Sequence, residues 1–176
     1  MNIWHDISPK SISSDKFTAV VEIPKGSKVK YELDKNTGVL KMDRILYTST
    51  HYPANYGFIP RTYAADGDPL DVLILCSETL IPLSIVECYP IGMIMMEDNG
   101  AADEKIICIP FKDPTYNVYK EISELPAHIF DEMKHFFAVY KALENKDTVI
   151  NNIREVGEAK TTIESCIDRY IECYCK

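Results

Sequence analysis

The hydrophobic rhythm of the chain changes about two-thirds of the way along. Early on, "FTAVVEI" (17–23) and "KVKYELD" (28–34) are short runs rich in β-branched and aromatic residues, which predicts strands. "DKNTGVLKMDRILY" predicts a hairpin turning at Asn36-Thr37-Gly38. Further strands are expected at 71–77, at two places within 83–96, and at 105–110, with 97–105 as a loop. Pro and Gly punctuate these runs every 8–12 residues or so, as in a barrel or sandwich. From Pro126 the period lengthens. Ile129, Met133, Phe136, Phe137, Tyr140 and Leu143 recur at helical spacing, and Pro126 suits a first helical turn. A second amphipathic helix is predicted for "EAKTTIESCIDRYIECY", with Ile163, Cys166, Ile167, Tyr170, Ile171 and Tyr174 on one stripe. Strands first and helices last point to an α+β, mainly β fold: a small closed barrel with helices packed outside. At 176 residues, one domain over 1–176 is expected.

Charge narrows the partners. A formal net charge of −8 disfavours a nucleic-acid backbone or an anionic membrane. It leaves room for a phosphate substrate, because bound cations invert the sign of an acidic pocket. The most apolar region, 80–96, is broken by Pro82, Glu87 and Pro90, so no membrane span is expected. "MNIWHDISPK" lacks a basic start followed by an apolar run, and a cytoplasmic location is the expectation. None of the six cysteines forms a C-x-x-C pair, and a zinc site on Cys166, Cys173 and Cys175 lacks knuckle spacing.

The candidate chemistry centres on "DGDPLD" (66–71), three carboxylates at the mouth of an apolar run. Asp66 and Asp68 face one side of an extended chain, and Pro69 biases Asp68 toward that conformation. Asp71 rejoins them if the segment bends. Such a group can serve as a plain polar turn or as a hard-oxygen cage for Mg²⁺. An EF-hand loop is excluded, because its glycine position is Asp71 and its twelfth position is Ser77. "EDNGAADEK" brings Asp98 and Asp103 as a second acidic group, itself readable as a solvated loop. Lys30 (beside Glu32), Arg44, Tyr52, Tyr56, Tyr140 and Lys141 are candidates to meet an anion; each is also readable as surface charge or packing. There is no Ser-His-Asp or Cys-His order and no glycine-rich phosphate loop.

These pieces together resemble the soluble family I inorganic pyrophosphatases. "DGDPLDVL" resembles the family's aspartate signature, and "VEIPKGSKVKYELDKNTGVLKMDR" its N-terminal region. "YPANYGFIP", "DEKIICIP" and "FFAVYKALE" follow in family order, so the likeness runs from about residue 15 to 145. The resemblance implies a five-stranded OB-like closed barrel with flanking C-terminal helices, and hydrolysis of diphosphate to two orthophosphates. It implies Mg²⁺ as cofactor, with Mn²⁺ or Zn²⁺ as substitutes. Asp66, Asp71, Asp98 and Asp103 match metal ligands, and Asp68 the group that deprotonates the attacking water. Lys30, Arg44, Tyr56, Tyr140 and Lys141 match substrate-holding positions, while Glu22, Glu32, Tyr52 and Lys105 match further active-site positions. A homo-oligomer, with a hexamer favoured at this length, is also implied. The tail departs from the pattern: "NKDTVINNIREVGEAK" replaces the Gly-Trp segment of many bacterial relatives, and the single tryptophan is Trp4. Two rival readings remain: a hydrolase of nucleotide or organic diphosphates, and an OB-like module for single-stranded nucleic acid. The acidic balance opposes the second.

Overall fold

Strand pairing fixes where the acidic segments lie. The computed structural model describes residues 2–146 and 148–175. A short helix α1 (Ile3–Asp6) precedes strands β1 (Phe17–Ile23), β2 (Val29–Leu33), β3 (Leu40–Ile45), β4 (Asn55–Ile59), β5 (Leu70–Ile74), β6 (Ile85–Asp98) and β7 (Ala101–Pro110). Helix α2 (Ala127–Val139), strand β8 (Thr148–Glu155) and helix α3 (Val156–Tyr174) complete the chain. β1, β4, β5, β7 and β6 pair in that order, and β6 pairs back onto β1, closing a ring of five strands. β8 adds to β6, and β2–β3 form a separate two-stranded ribbon.

Alternate residues feed two cores. On β5 and β7, Leu73, Ile107 and Ile109 join the cluster under α2, where Phe130, Met133, Phe136 and Phe137 are buried. Leu70, Val72, Ile74, Ile106 and Cys108 join the cluster under α3, with Ala159, Ile163 and Cys166. Strands covered on both faces read as continuous apolar runs, which is why "FTAVVEI" is buried throughout.

The expected loop at 97–105 is instead the end of a long hairpin. β6 and β7 meet at Asn99 and Gly100, whose φ values are 51° and 81°. These left-handed dihedrals are those of a tight Asn-Gly hairpin turn. Asp98 and Asp103 therefore ride on strands. The two strands expected within 83–96 are one strand, β6, which runs through Pro90. Its register shifts between Pro90 and Gly92, a bulge that absorbs the missing N–H. β6 is long because its first part pairs with β1 and its second part with β8.

Other expectations shift more modestly. β5 stops at Ile74, and β7 begins at Ala101. α2 ends at Val139, so Leu143 leaves the apolar stripe and is 66% exposed; Pro126 is the N-cap. Ile171 and Tyr174 are half-exposed at the end of α3. The expected hairpin is β2–β3, and Asp34 Oδ1 accepts the N–H groups of Asn36 and Thr37 in its turn. The strands at 55–59 and 148–155 and helix α1 were not expected.

One close approach is decisive for the ring. Gly57 on β4 pairs with Val21 on β1, and a Cβ there would lie 1.8 Å from the Val20 carbonyl oxygen. Gly57→Ala therefore forces β1 and β4 apart. We expect a loss of about 3 kcal/mol or more, above the usual cost of overpacking, read as a lower urea midpoint; an unchanged midpoint would show that the strands separate freely.

Candidate active site

The ring brings the two acidic segments to one cleft of about 340 Å³. β5 carries Asp71 at its start, and the preceding loop carries Asp66 and Asp68. β7 carries Asp103 and Lys105, and β6 ends on Asp98. β2 supplies Lys30 and Glu32, β1 supplies Glu22, and the end of α2 supplies Tyr140 and Lys141. Tyr52 and Tyr56 come from β4 and the segment before it. Of the fourteen residues singled out in the sequence, the structure places thirteen on the walls of this cleft.

Arg44 is the exception. Its guanidinium turns onto Glu144 at 3.0 Å and onto Asp43, while Nη2 is buried with no hydrogen-bond partner among the described residues. Burial acts against its charge, but Glu144 and Asp43 outweigh burial and raise its pKa.

Lys105 organises the floor. It faces Asp71 across the parallel β5–β7 pair. Its ammonium donates to Asp71 Oδ2 at 2.8 Å, Asp103 Oδ1 at 2.9 Å and the Tyr56 hydroxyl at 3.0 Å. All three N–H donors are thus committed. Burial alone would depress this lysine, but Asp71, Tyr56 and Asp103 hold its pKa well above the ordinary value. The Tyr56 hydroxyl donates in turn to Asp71 Oδ2 at 2.6 Å.

Burial sets the protonation of the walls. Tyr52, Tyr56 and Tyr140 are each pushed up, first by burial and then by neighbouring phenols and carboxylates or, for Tyr140, by Asp103 and Asp98. All three stay neutral donors. Glu22 is pushed up to about 8 by burial and by the Asp71 charge, although the Leu33 N–H donates to it at 2.8 Å. Asp66 is raised by burial and by Asp103.

The cleft holds seven carboxyl groups against four lysines among its described walls, an excess of three. Protonation of Glu22 lowers that excess to two. The lysines stand among the carboxylates: Lys105 between Asp71 and Asp103, Lys141 on Asp98, Lys30 on Glu32 and Lys35 on Asp68. Accordingly, no three His, Cys, Asp or Glu side chains among the described residues form a ready-made ligand shell. The donor set still fits a hard divalent cation: carboxylate oxygens in excess, from separate strands, around one space. Seven wall residues were not singled out, among them Trp4 and Lys35. Neither belongs to an acidic or aromatic motif, and both arrive through tertiary packing.

Comparison with known proteins places this geometry. The family model described as inorganic pyrophosphatase matches residues 19–171. Among curated relatives, soluble inorganic pyrophosphatase 2 of Chlamydomonas reinhardtii is 45% identical over 171 residues, spanning 97% of this chain and 89% of its own. The soluble inorganic pyrophosphatase of Oryza sativa is 46% identical, spanning 95% of this chain and 78% of its own. Among solved structures, the Helicobacter pylori inorganic pyrophosphatase superposes with a TM-score of 0.88 at 42% identity, covering 91% of this chain and 96% of that one. The Thermus thermophilus enzyme gives 0.89 at 36% identity, covering 97% and 99%. Sequence, fold and site composition agree: the chain belongs to the inorganic pyrophosphatase family, as a hydrolase of that class.

Proposed function

We propose that this chain hydrolyses inorganic diphosphate to two orthophosphates in a Mg²⁺-dependent reaction with Asp68 as general base. The observation that carries the reading is the charge make-up of the cleft. Carboxylates in excess and several lysines face one small space, which suits a cation-loaded polyanion and little else. Mg²⁺, or Mn²⁺ or Zn²⁺ in its place, would be held by Asp66, Asp71, Asp98 and Asp103, where it supplies charge neutralisation at the phosphoryl oxygens and acidifies water.

The protein groups divide the remaining work. Lys141 pairs with Asp98, and Lys30 with Glu32 and more distantly with Asp43 at 3.7 Å, so each is able to exchange a carboxylate for a phosphoryl oxygen. Tyr140, kept protonated by burial, donates without adding charge. Lys105 is a fixed charge whose donors are occupied. Its field steadies Asp71 and Asp103 and the developing negative charge on the leaving phosphate. Asp68 takes the proton as water oxygen bonds to phosphorus and the bridging P–O bond breaks. Its side chain is 55% exposed, so water reaches it. Arg44 stands behind the cleft walls and would reach substrate only by letting go of Glu144 and Asp43.

Orthophosphate release from diphosphate should require Mg²⁺, and Mg²⁺ without substrate should raise the thermal midpoint. At a hundredfold excess over Kd the gain is about 2.7 kcal/mol. Intact diphosphate across Mg²⁺, Mn²⁺ and Zn²⁺ rejects the reading, and faster release from nucleotide or organic diphosphates replaces the substrate.

Asp68→Asn should lower kcat by about a hundredfold or more while the Mg²⁺ shift in midpoint stays. Near-normal kcat at saturating Mg²⁺ removes Asp68 from the base role.

Glu22 supplies a pH test in chelator. Its folded pKa of about 8 lies above the unfolded value near 4.5, so the folded state binds the extra proton. The stability it confers is complete below pH 4.5 and is lost as pH rises toward 8. Glu22→Gln keeps an acceptor for Leu33 and should flatten that decline; an unaltered pH dependence of the urea midpoint would place the titration elsewhere.

A further inference from the structure

Trp4 stands at the rim of the cleft and joins three parts of the chain. Its indole Nε1 donates to the Thr62 carbonyl at 3.0 Å. Its own carbonyl accepts the Arg61 N–H at 2.9 Å, where Arg61 holds a left-handed φ of 57°. The helix α1 segment thus braces the start of the loop that carries Asp66 and Asp68. The Lys35 ammonium rests over the same ring, 5.5 Å from its centroid. Asn2 Nδ2 fixes the Lys35 backbone, donating to its carbonyl at 2.9 Å. From this seat Lys35 pairs with the Asp68 carboxylate.

Asp68 needs such a partner. Its backbone is pinned on both sides: its N–H donates to Asp66 Oδ1 at 3.0 Å, and its carbonyl accepts from Ala64 N–H at 2.7 Å. Its carboxylate, however, projects half-exposed, and among the described residues Lys35 is its salt-bridge partner. A general base works only within hydrogen-bond reach of its water, and small misplacements are costly. An exposed ion pair adds little to folding stability. Its consequence should therefore fall on turnover.

We propose that Lys35, seated on Trp4, is a positioning residue that holds the Asp68 carboxylate in its working orientation. The inference rests on the reading of Asp68 as the base. It links the hairpin tip between β2 and β3 to the aspartate loop through one indole ring.

The test is a double-mutant cycle. Lys35→Met should lower kcat about tenfold, leave KM for diphosphate within about twofold, and leave the thermal midpoint unchanged. Lys35→Arg, which keeps the charge and the stacking, should recover most of the loss. In an Asp68→Asn background, Lys35→Met should cost nothing further. Trp4 is the chain's single tryptophan, so its emission reads the seat without turnover. Lys35→Met should alter that emission, Asp68→Asn should alter it in the same direction, and Lys35→Arg should not. The proposal is overturned by full kcat in Lys35→Met, by a rise in KM alone, by equal losses in both backgrounds, or by an unmoved Trp4 emission. Absent wild-type turnover would reject the diphosphatase reading instead, and the emission comparison would still decide the Lys35 seat.

Discussion

The buried ammonium of Lys105 is the constraint on which the site rests. A lone ammonium in that position would cost several kcal/mol. It is tolerable because three acceptors surround it: Asp71, Asp103 and Tyr56. Those acceptors come from β5, β7 and β4. The parallel β5–β7 register sets Asp71 beside Lys105. A slip of one residue would turn Lys105 and Asp103 together to the opposite face and leave Asp71 on β5 without its partner. Electrostatics and strand register thus enforce each other, because only the correct pairing satisfies this buried charge.

That coupling also explains what could be read from the sequence. The apolar runs of β1, β5 and the later part of β7 are covered on both faces, so their strands stand out in composition. β8 does not: "TVINNIRE" is half-exposed, and its place is fixed by pairing with β6. The Asn99-Gly100 hairpin carried a turn signal, but the acidic residues around it resembled a solvated loop. Only the fold shows that Asp98 and Asp103 are held on strands. β6 continues through Pro90 because a bulge removes the need for its N–H, a solution no local pattern announces. The site residues were accessible through ordered motifs. Trp4 and Lys35 were not, because their meeting depends on packing between residues far apart in the chain.

The lysines of the cleft are not equivalent. Lys105 spends all its donors on fixed partners, whereas Lys30 and Lys141 lie along single carboxylates or pairs on the wall. The first holds shape; the others can change partner at little cost. The buried phenols belong with the first kind. Kept neutral, they donate without adding to the repulsion among the aspartates.

This division resolves how an acidic cleft can accept a polyanion. With an excess of two or three carboxylates, diphosphate alone would be repelled. On the proposed reading, divalent cations held by the aspartates would reverse the sign and free Lys30 and Lys141 from the charges they neutralise. Those lysines would then be free to meet phosphoryl oxygens. Lys105 keeps its place, since its removal would leave the floor without its countercharge. On that reading, charge alone would have cations arrive before or with the substrate, and the lysines would exchange one set of oxygens for another.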